Sequence, residues 1–267
     1  MKTNYTLIGD VREKLKELPD KSIQMCVTSP PYFNLRDYDN QENQLGLEKT
    51  PEEFVANLVE VFAEVHRVLR NDGTLWLNLG DSYLKNKQLG FIPQKVAIAL
   101  QEWGWILRQD IIWAKKNCMP ESVKDRFTKS HEYIFLFSKQ PKYFFNQVLE
   151  ESVSEIKKRT RKKGEGQDSK IGTKGSAGNS GKRNKRSVWH MVTASYKEAH
   201  FAVFPPELAE TCIKAGSNEN DIVLDCFMGS GTTAMVAQDL FRKWIGVELN
   251  PEYEKLIRKR TSQQVLF

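Results

Sequence analysis

The sequence predicts an α/β fold, a mostly parallel sheet with helices packed on both faces, and three observations predict it. Apolar runs of strand length recur along the chain. They are near-continuously apolar instead of alternating, which is how strands buried on both faces read. Segments of helical periodicity lie between them, and strands alternating with helices build parallel sheets through helical crossovers. The 267 residues suit one large domain, here taken as 1–267, or such a domain with an inserted region.

The elements follow in order. "TLI" before Gly9 and Asp10, "IQMCVT" at 23–28, "TLWLNL" at 74–79, "QDIIWA" at 109–114 and "HEYIFLFS" at 131–138 are the early strands; "DIVLDCF" at 221–227 and "KWIGVEL" at 243–249 are the late ones. The clearest helix is 51–70, where Phe54, Leu58, Val61, Phe62, Val65 and Leu69 share a face. Thr50-Pro51-Glu52-Glu53 has the form of a capping box with proline at the first helical position, and Gly73 is expected to close the last turn. Shorter helices are expected at 92–102, 206–215, 232–240 and 251–260. One segment breaks the pattern: "KKRTRKKGEGQDSKIGTKGSAGNSGKRNKRS", 157–187, is rich in Gly, Ser and basic residues and has almost nothing to bury. It reads as a flexible basic excursion within an inserted region spanning about 140–190, with the core resuming near Val188.

Forty Lys and Arg against thirty-four Asp and Glu give a net charge of +6 and a pI near 9.0. This leans towards an anionic partner such as nucleic acid, though basicity alone does not establish one. The amino terminus has no apolar signal region and no window approaches the ~18 apolar residues of a membrane span, which predicts a cytoplasmic protein with no membrane partner. Cys26, Cys118, Cys212 and Cys226 form no CxxC pair and the four histidines show no ligand spacing, so no metal is expected.

Two stretches carry chemistry. In "VTSPPYFNLRDY", 27–38, consecutive prolines make a stiff turn directly after an apolar run, since each fixes its own φ and restricts the residue before it. In "DIVLDCFMGSGTTAMVAQDLFRKWIGVELNPEY", 221–253, a strand leads into a glycine turn, a helix and a second strand that ends on Glu248. Gly229 and Gly231 permit a sharp turn and close approach of a ligand, and Thr232 and Thr233 stand at a helix amino end. Glu248 is placed to bond a ribose diol. The absence of a Gly-Lys-Ser/Thr ending excludes a phosphate-cradling P-loop. Alone, this unit fits either a nucleoside-containing cofactor or a turn that merely closes a strand onto a helix.

Together, "TSPPY" and "D-x-F-x-G-S-G-T-T" resemble the catalytic and cofactor motifs of amino-directed DNA methyltransferases. The catalytic motif precedes the cofactor motif, as in the β class of that family, and the resemblance spans nearly the whole chain. It implies a Rossmann-like methyltransferase fold with a mixed sheet, S-adenosylmethionine as cofactor, and double-stranded DNA as partner. Residue by residue, it implies Ser29, Pro30, Pro31 and Tyr32 as the catalytic turn. Asp225, Phe227, Gly229, Gly231, Thr232 and Thr233 would lie on the methionine side of the cofactor, Glu248 on its ribose, Asp10 near its adenine, and Phe204 and Pro205 in "HFAVFPPEL" against its methionine moiety. Arg126 and His131 are expected at the target pocket. Arg36 and the cluster Lys182, Arg183, Lys185 and Arg186 are expected on DNA phosphates, with a solvated linker as the alternative for the cluster. Serine at position 29 is the family's usual form for cytosine N4 methylation and aspartate for adenine N6, so the expected reaction is cytosine N4 methylation of a flipped base, with adenine N6, RNA methylation, and an inactive DNA-binding protein as alternatives. C5-methylation is excluded because no cysteine follows a proline. A homodimer and a cognate restriction endonuclease are further partners that the sequence neither selects nor excludes.

Overall fold

In a computed structural model the predicted apolar runs become strands at the predicted places. The structure describes residues 1–34, 44–151, 181–194 and 204–262. Its strands are β1 (Tyr5–Ile8), β2 (Ile23–Thr28), β3 (Leu69–Leu79), β4 (Ile106–Lys115), β5 (His131–Ser138), β6 (Leu149–Glu151), β7 (Lys182–Asn184), β8 (Val188–Met191), β9 (Ile222–Asp225) and β10 (Lys243–Glu248). Its helices are α1 (Val11–Lys14), α2 (Pro51–Val68), α3 (Ile92–Trp103), α4 (Pro206–Gly216), α5 (Thr232–Asp239) and α6 (Tyr253–Ser262). The chain divides into two units, Met1–Asn146 with Ser187–Phe267, and Gln147–Arg186.

The larger unit holds one eight-stranded sheet in the order β1-β10-β9-β2-β3-β5-β4-β8. All its pairings are parallel except those of β5, which runs antiparallel to both β3 and β4. All six residues of β2, a central strand, are buried, as two-sided burial requires. Helices cover both sides of the sheet: α2 packs with α1 and α3, and α5 packs with α4 and α6. Among the described residues no helix is long and apolar enough to cross a membrane.

α2 forms as its sequence dictates. The Thr50 hydroxyl accepts from Glu53 N at 3.2 Å, Pro51 opens the first turn, and Phe54, Leu58, Val61, Phe62 and Val65 are fully buried. The expected cap at Gly73 is corrected. The helix stops at Val68, Leu69 turns at once to extended geometry, and Gly73 lies inside β3, where a Cβ would meet the backbone oxygens of Gln24 and Arg70 at 2.9 and 3.0 Å. Close backbone approach, not helix termination, explains that glycine. β9 is shorter than its apolar run, because the Asp225 carboxylate accepts from Phe227 N (3.1 Å) and turns the chain.

In the smaller unit β6 pairs antiparallel with β7, matching Glu150 with Arg183 and Glu151 with Lys182. The expected flexible excursion therefore ends in an ordered strand. Most of it, residues 157–180, lies outside the described residues.

Candidate active site

The site forms at the carboxyl ends of β2 and β9. These strands are neighbours, but β2 leads to β3 on one side while β9 leads to β10 on the other, so the chain order reverses between them, which is where open α/β sheets bind ligands. Asp225 ends β9 and is buried. It accepts from the Thr28 hydroxyl at 2.6 Å through one oxygen and from the Thr233 hydroxyl at 2.6 Å through the other. Burial pushes its carboxyl pKa up, against the pull of the Thr233, Thr28 and Phe227 donors. Its side chain is thus taken up inside the protein, where it ties the end of β2 to the glycine loop.

Gly229 and Gly231 both adopt left-handed φ, 52° and 82°. A Cβ on Gly229 would meet nothing within 4 Å, whereas one on Gly231 would meet Ile257 Cγ1 at 3.1 Å. Gly231 also caps α5. The Thr232 and Thr233 side chains are buried. Thr233 serves Asp225, and Thr232 accepts from Arg260 of α6 at 3.1 Å, an arginine that also donates to the Ser230 hydroxyl at 2.8 Å. What these threonines can offer a ligand is helix-terminal backbone. Glu248 ends β10 and accepts from Gly229 N at 2.8 Å and Asn250 N at 2.9 Å, one donor to each oxygen, which leaves acceptor capacity for a diol. Burial raises its pKa, opposed by those backbone donors. The open space over Gly229 beside this carboxylate fits a nucleoside-bearing ligand.

Asp10 sits beside Glu248, since Ile8 pairs with Glu248 and Gly9 N donates to the Glu248 carbonyl at 2.8 Å. Both its oxygens accept from Arg12, with contacts from 2.6 to 3.2 Å. Burial raises its carboxyl pKa, but Arg12 outweighs that and holds it below the ordinary value. Phe227 is half-buried; Pro205 is buried at the start of α4, with half-buried Phe204 before it.

The proline turn follows Thr28. The Tyr32 hydroxyl donates to Glu132 Oε2 at 2.6 Å and accepts from Asn78 Nδ2 at 2.8 Å, while Asn78 also donates to Glu132 at 2.9 Å. The Ser29 hydroxyl joins at 3.3 Å from both Tyr32 and Asn78, and Lys115 completes the network with an ion pair to Glu132 at 2.5 Å. Asn78 Oδ1 has no hydrogen-bond partner among the described residues. Gly80 lies against the Tyr32 ring, and Gly46 behind Pro31 has φ 98°. Sequence reasoning missed Asn78, Gly80, Lys115 and Glu132. A signal existed: Asn78 and Glu132 are polar interruptions in strands read as buried on both faces, and they are 2 % and 8 % exposed.

Arg126 and His131 do not join this network. Arg126 lies over the Tyr83 ring at 4.1 Å and pairs with Glu121, and His131 Nε2 is 3.4 Å from the Tyr133 hydroxyl. Arg36 lies outside the described residues. In the smaller unit Arg183 and Arg186 both pair with Glu150, at 2.9 and 3.0 Å, and on the same short segment Lys182 is exposed and Lys185 half-buried.

A stiff Ser-Pro-Pro-Tyr turn tied through a buried carboxylate to a glycine loop at the sheet's switch point fits the class of group-transfer enzymes that use a nucleoside-bearing cofactor. Comparison with known proteins makes this specific. A family model described as DNA methylase matches residues 23–259. The chain is 43% identical to the Type II methyltransferase M.XycI of Xanthomonas campestris pv. cyanopsidis, over 96% of this chain and 87% of that protein. It is 42% identical to the Type II methyltransferase M.SmaI of Serratia marcescens, over 95% and 89%. Among solved structures it resembles PvuII DNA methyltransferase (cytosine-N4-specific), with TM-score 0.74 and 23% identity over 100% of this chain and 89% of that one. It also resembles a Thermus thermophilus protein complexed with S-adenosyl-L-methionine, with TM-score 0.68 and 25% identity over 98% and 95%. The chain belongs to the DNA methylase family, as the TSPPY and GSGTT resemblance implied.

Proposed function

We propose that this chain methylates the exocyclic N4 of a cytosine in double-stranded DNA, with S-adenosylmethionine as donor. The observation that carries the choice of base is Ser29, a neutral hydroxyl at the tip of β2 within reach of Asn78 and Tyr32. A hydroxyl can accept from the cytosine amine or donate to the adjacent ring nitrogen, whereas a carboxylate can only accept unless protonated.

The bound cofactor supplies an electrophilic methyl on a sulfonium. The chain does the rest. The amine lone pair is delocalised into the ring, so acceptors aimed at its N–H bonds, the Ser29 hydroxyl and the Pro30 carbonyl, draw the nitrogen towards tetrahedral geometry. Tyr32, its hydroxyl anchored on Glu132 and Asn78, stacks on the flipped base, worth ~1–3 kcal/mol. Held in line with that nitrogen, the cofactor would supply the methyl group to it. The nitrogen then sheds a proton to water, which restores the neutral amine. Glu248 would hold the ribose, and the Gly229–Gly231 turn would hold the methionine side. The unit Gln147–Arg186, with Arg36, contacts the DNA backbone and contributes to target recognition.

The test is methylome sequencing and nucleoside mass spectrometry of DNA from a methylation-free host expressing the chain. N4-methylcytosine at one recognition sequence is expected. N6-methyladenine as sole product would overturn the base assignment and leave the mechanism standing; full activity in Ser29→Ala would remove the hydroxyl from it.

A further inference from the structure

The loop joining β4 to β5, residues 116–130, leaves and re-enters the catalytic network, since the strands on either side carry Lys115 and Glu132. Two of its side chains are conspicuous: Met119 is 84% exposed and Phe127 98%, the highest values among the large hydrophobic residues described. Single exposed apolar residues are ordinary, but two on one loop beside a site call for an occupant.

The loop is anchored and does not trail in solvent. Lys116 N donates to the Met191 carbonyl at 3.1 Å, the Lys129 ammonium donates to the Asp81 carbonyl, and Arg126 lies over the Tyr83 ring. Its charges are also sorted. Glu121 is paired with Arg126, and Asp125 faces Lys87 at 3.9 Å, while the exposed Lys116 and Lys124 each stand three residues before one of the two apolar residues in the sequence. Exposed apolar residues on a loop that also carries exposed cations match a base stack between two phosphate strands better than they match a purely apolar protein face.

We propose that Met119 and Phe127 enter the DNA duplex as a wedge when the target base leaves the stack, with Lys116 and Lys124 on the flanking phosphates. This rests on the DNA-methylating reading above. Extruding a base means giving up its stacking and pairing, and an apolar side chain that occupies the opened step offsets part of that loss. Pro120 stiffens the backbone directly after Met119.

The experiment uses the full chain and two synthetic duplexes containing the recognition sequence found by methylome sequencing, one fully paired and one mismatched at the target base. For Phe127→Ala and for Met119→Ala with Phe127→Ala, kcat/KM on the paired duplex is expected to fall by about tenfold or more, while on the mismatched duplex, where the base is already unpaired, it stays within about threefold of wild type. Pyrrolocytosine, a fluorescent cytosine analogue that pairs with guanine, should lose its flipping fluorescence when placed at the target position of the paired duplex, and S-adenosylmethionine affinity should be unchanged. Wild-type rates on the paired duplex, or equal losses on both duplexes, would overturn the wedge. A wild-type chain that methylates neither duplex would instead overturn the underlying reading.

Discussion

Replacing Gly80 by alanine tests whether the placement of Tyr32 sets turnover. A Cβ at Gly80 would lie 2.5 Å from Tyr32 Cε2, 2.9 Å from Cδ2 and 3.3 Å from Cζ. Ordinary contact begins at 3.4 Å, so 3.4 less 2.5 requires the ring to retreat by about 0.9 Å. Gly80 is not in the left-handed region, so the perturbation is steric and not a matter of backbone strain. The ring cannot yield freely, because its hydroxyl is held at 2.6 Å to Glu132 and 2.8 Å to Asn78. Overpacking of this kind costs about 1–3 kcal/mol, with about 1 kcal/mol more for each hydrogen bond stretched beyond useful length. A positioning group displaced by about 1 Å lowers turnover on the order of a hundredfold. Methyl transfer from labelled S-adenosylmethionine to duplex DNA should show that loss in kcat. Calorimetric cofactor affinity should hold, since Gly229 lies in the turn after β9 and Glu248 at the end of β10. In a Tyr32→Ala background Gly80→Ala should add little further loss, because the clash is gone. Near-wild-type turnover in Gly80→Ala, or the same penalty in both backgrounds, would refute the reasoning.

Three further outcomes are expected. Gly231→Val should weaken S-adenosylmethionine binding by at least about tenfold in calorimetry, because a β-branched residue at φ 82° is strained and meets Ile257; unchanged affinity in a folded variant would remove the glycine turn from the cofactor site. His66, edge-on to Trp103 and Trp105, has its pKa lowered from 6.5 to about 4 by burial and by Lys139, so the unfolded chain takes up the proton first. Stability contributed by neutral His66 is present above 6.5 and lost as pH falls through about 4. Discounted for the partial exposure of His66, the effect is about 1–2 kcal/mol, and urea unfolding of His66→Gln should show a flatter pH dependence over that window. Alanine at Lys182, Arg183, Lys185 and Arg186 should flatten the log–log salt dependence of DNA binding by less than about 3.6, four times 0.9, because Glu150 already engages two of the cations; an unchanged slope would favour the linker reading.

The elements that the sequence disclosed share one property: their pattern is local. The run IQMCVT is β2 to the residue, HEYIFLFS is β5, and Thr50-Pro51-Glu52-Glu53 opens α2 where expected. What stayed hidden depends on partners far along the chain. The start of α3 shows no cap of its own, because its N–H groups at Phe91 and Ile92 are satisfied by Asp81, ten and eleven residues upstream. The reversal of β5 follows from pairing, and no feature of its apolar run encodes direction. Tyr32 was legible as a ring in a stiff turn, but its anchor, Glu132, is a hundred residues away. Asp225 and Thr233 were legible as motif residues expected on the methionine side of the cofactor, but the hydrogen bond between their side chains, eight residues apart, was not.

Asp225 also accepts from the Thr28 hydroxyl, 197 residues away, and so ties the two motifs together in space. Methyl transfer needs donor and acceptor in line, held to within a fraction of an ångström. Two loops that moved independently could not hold such a line. Here the Asp225 carboxylate takes one hydroxyl from the end of β2, just before Ser29, and another from the first turn of α5, just after Gly231. Any shift of the catalytic turn against the glycine loop must stretch a charge-assisted bond in a buried setting, where such bonds are strong and unmet polar groups are costly. Burial raises the Asp225 pKa, and the Thr233, Thr28 and Phe227 donors oppose that shift. Because the junction is spatial, the order of the motifs along the chain is immaterial to it, and a separate unit at Gln147–Arg186 can be carried between them in the sequence without interrupting the Thr28–Asp225 contact.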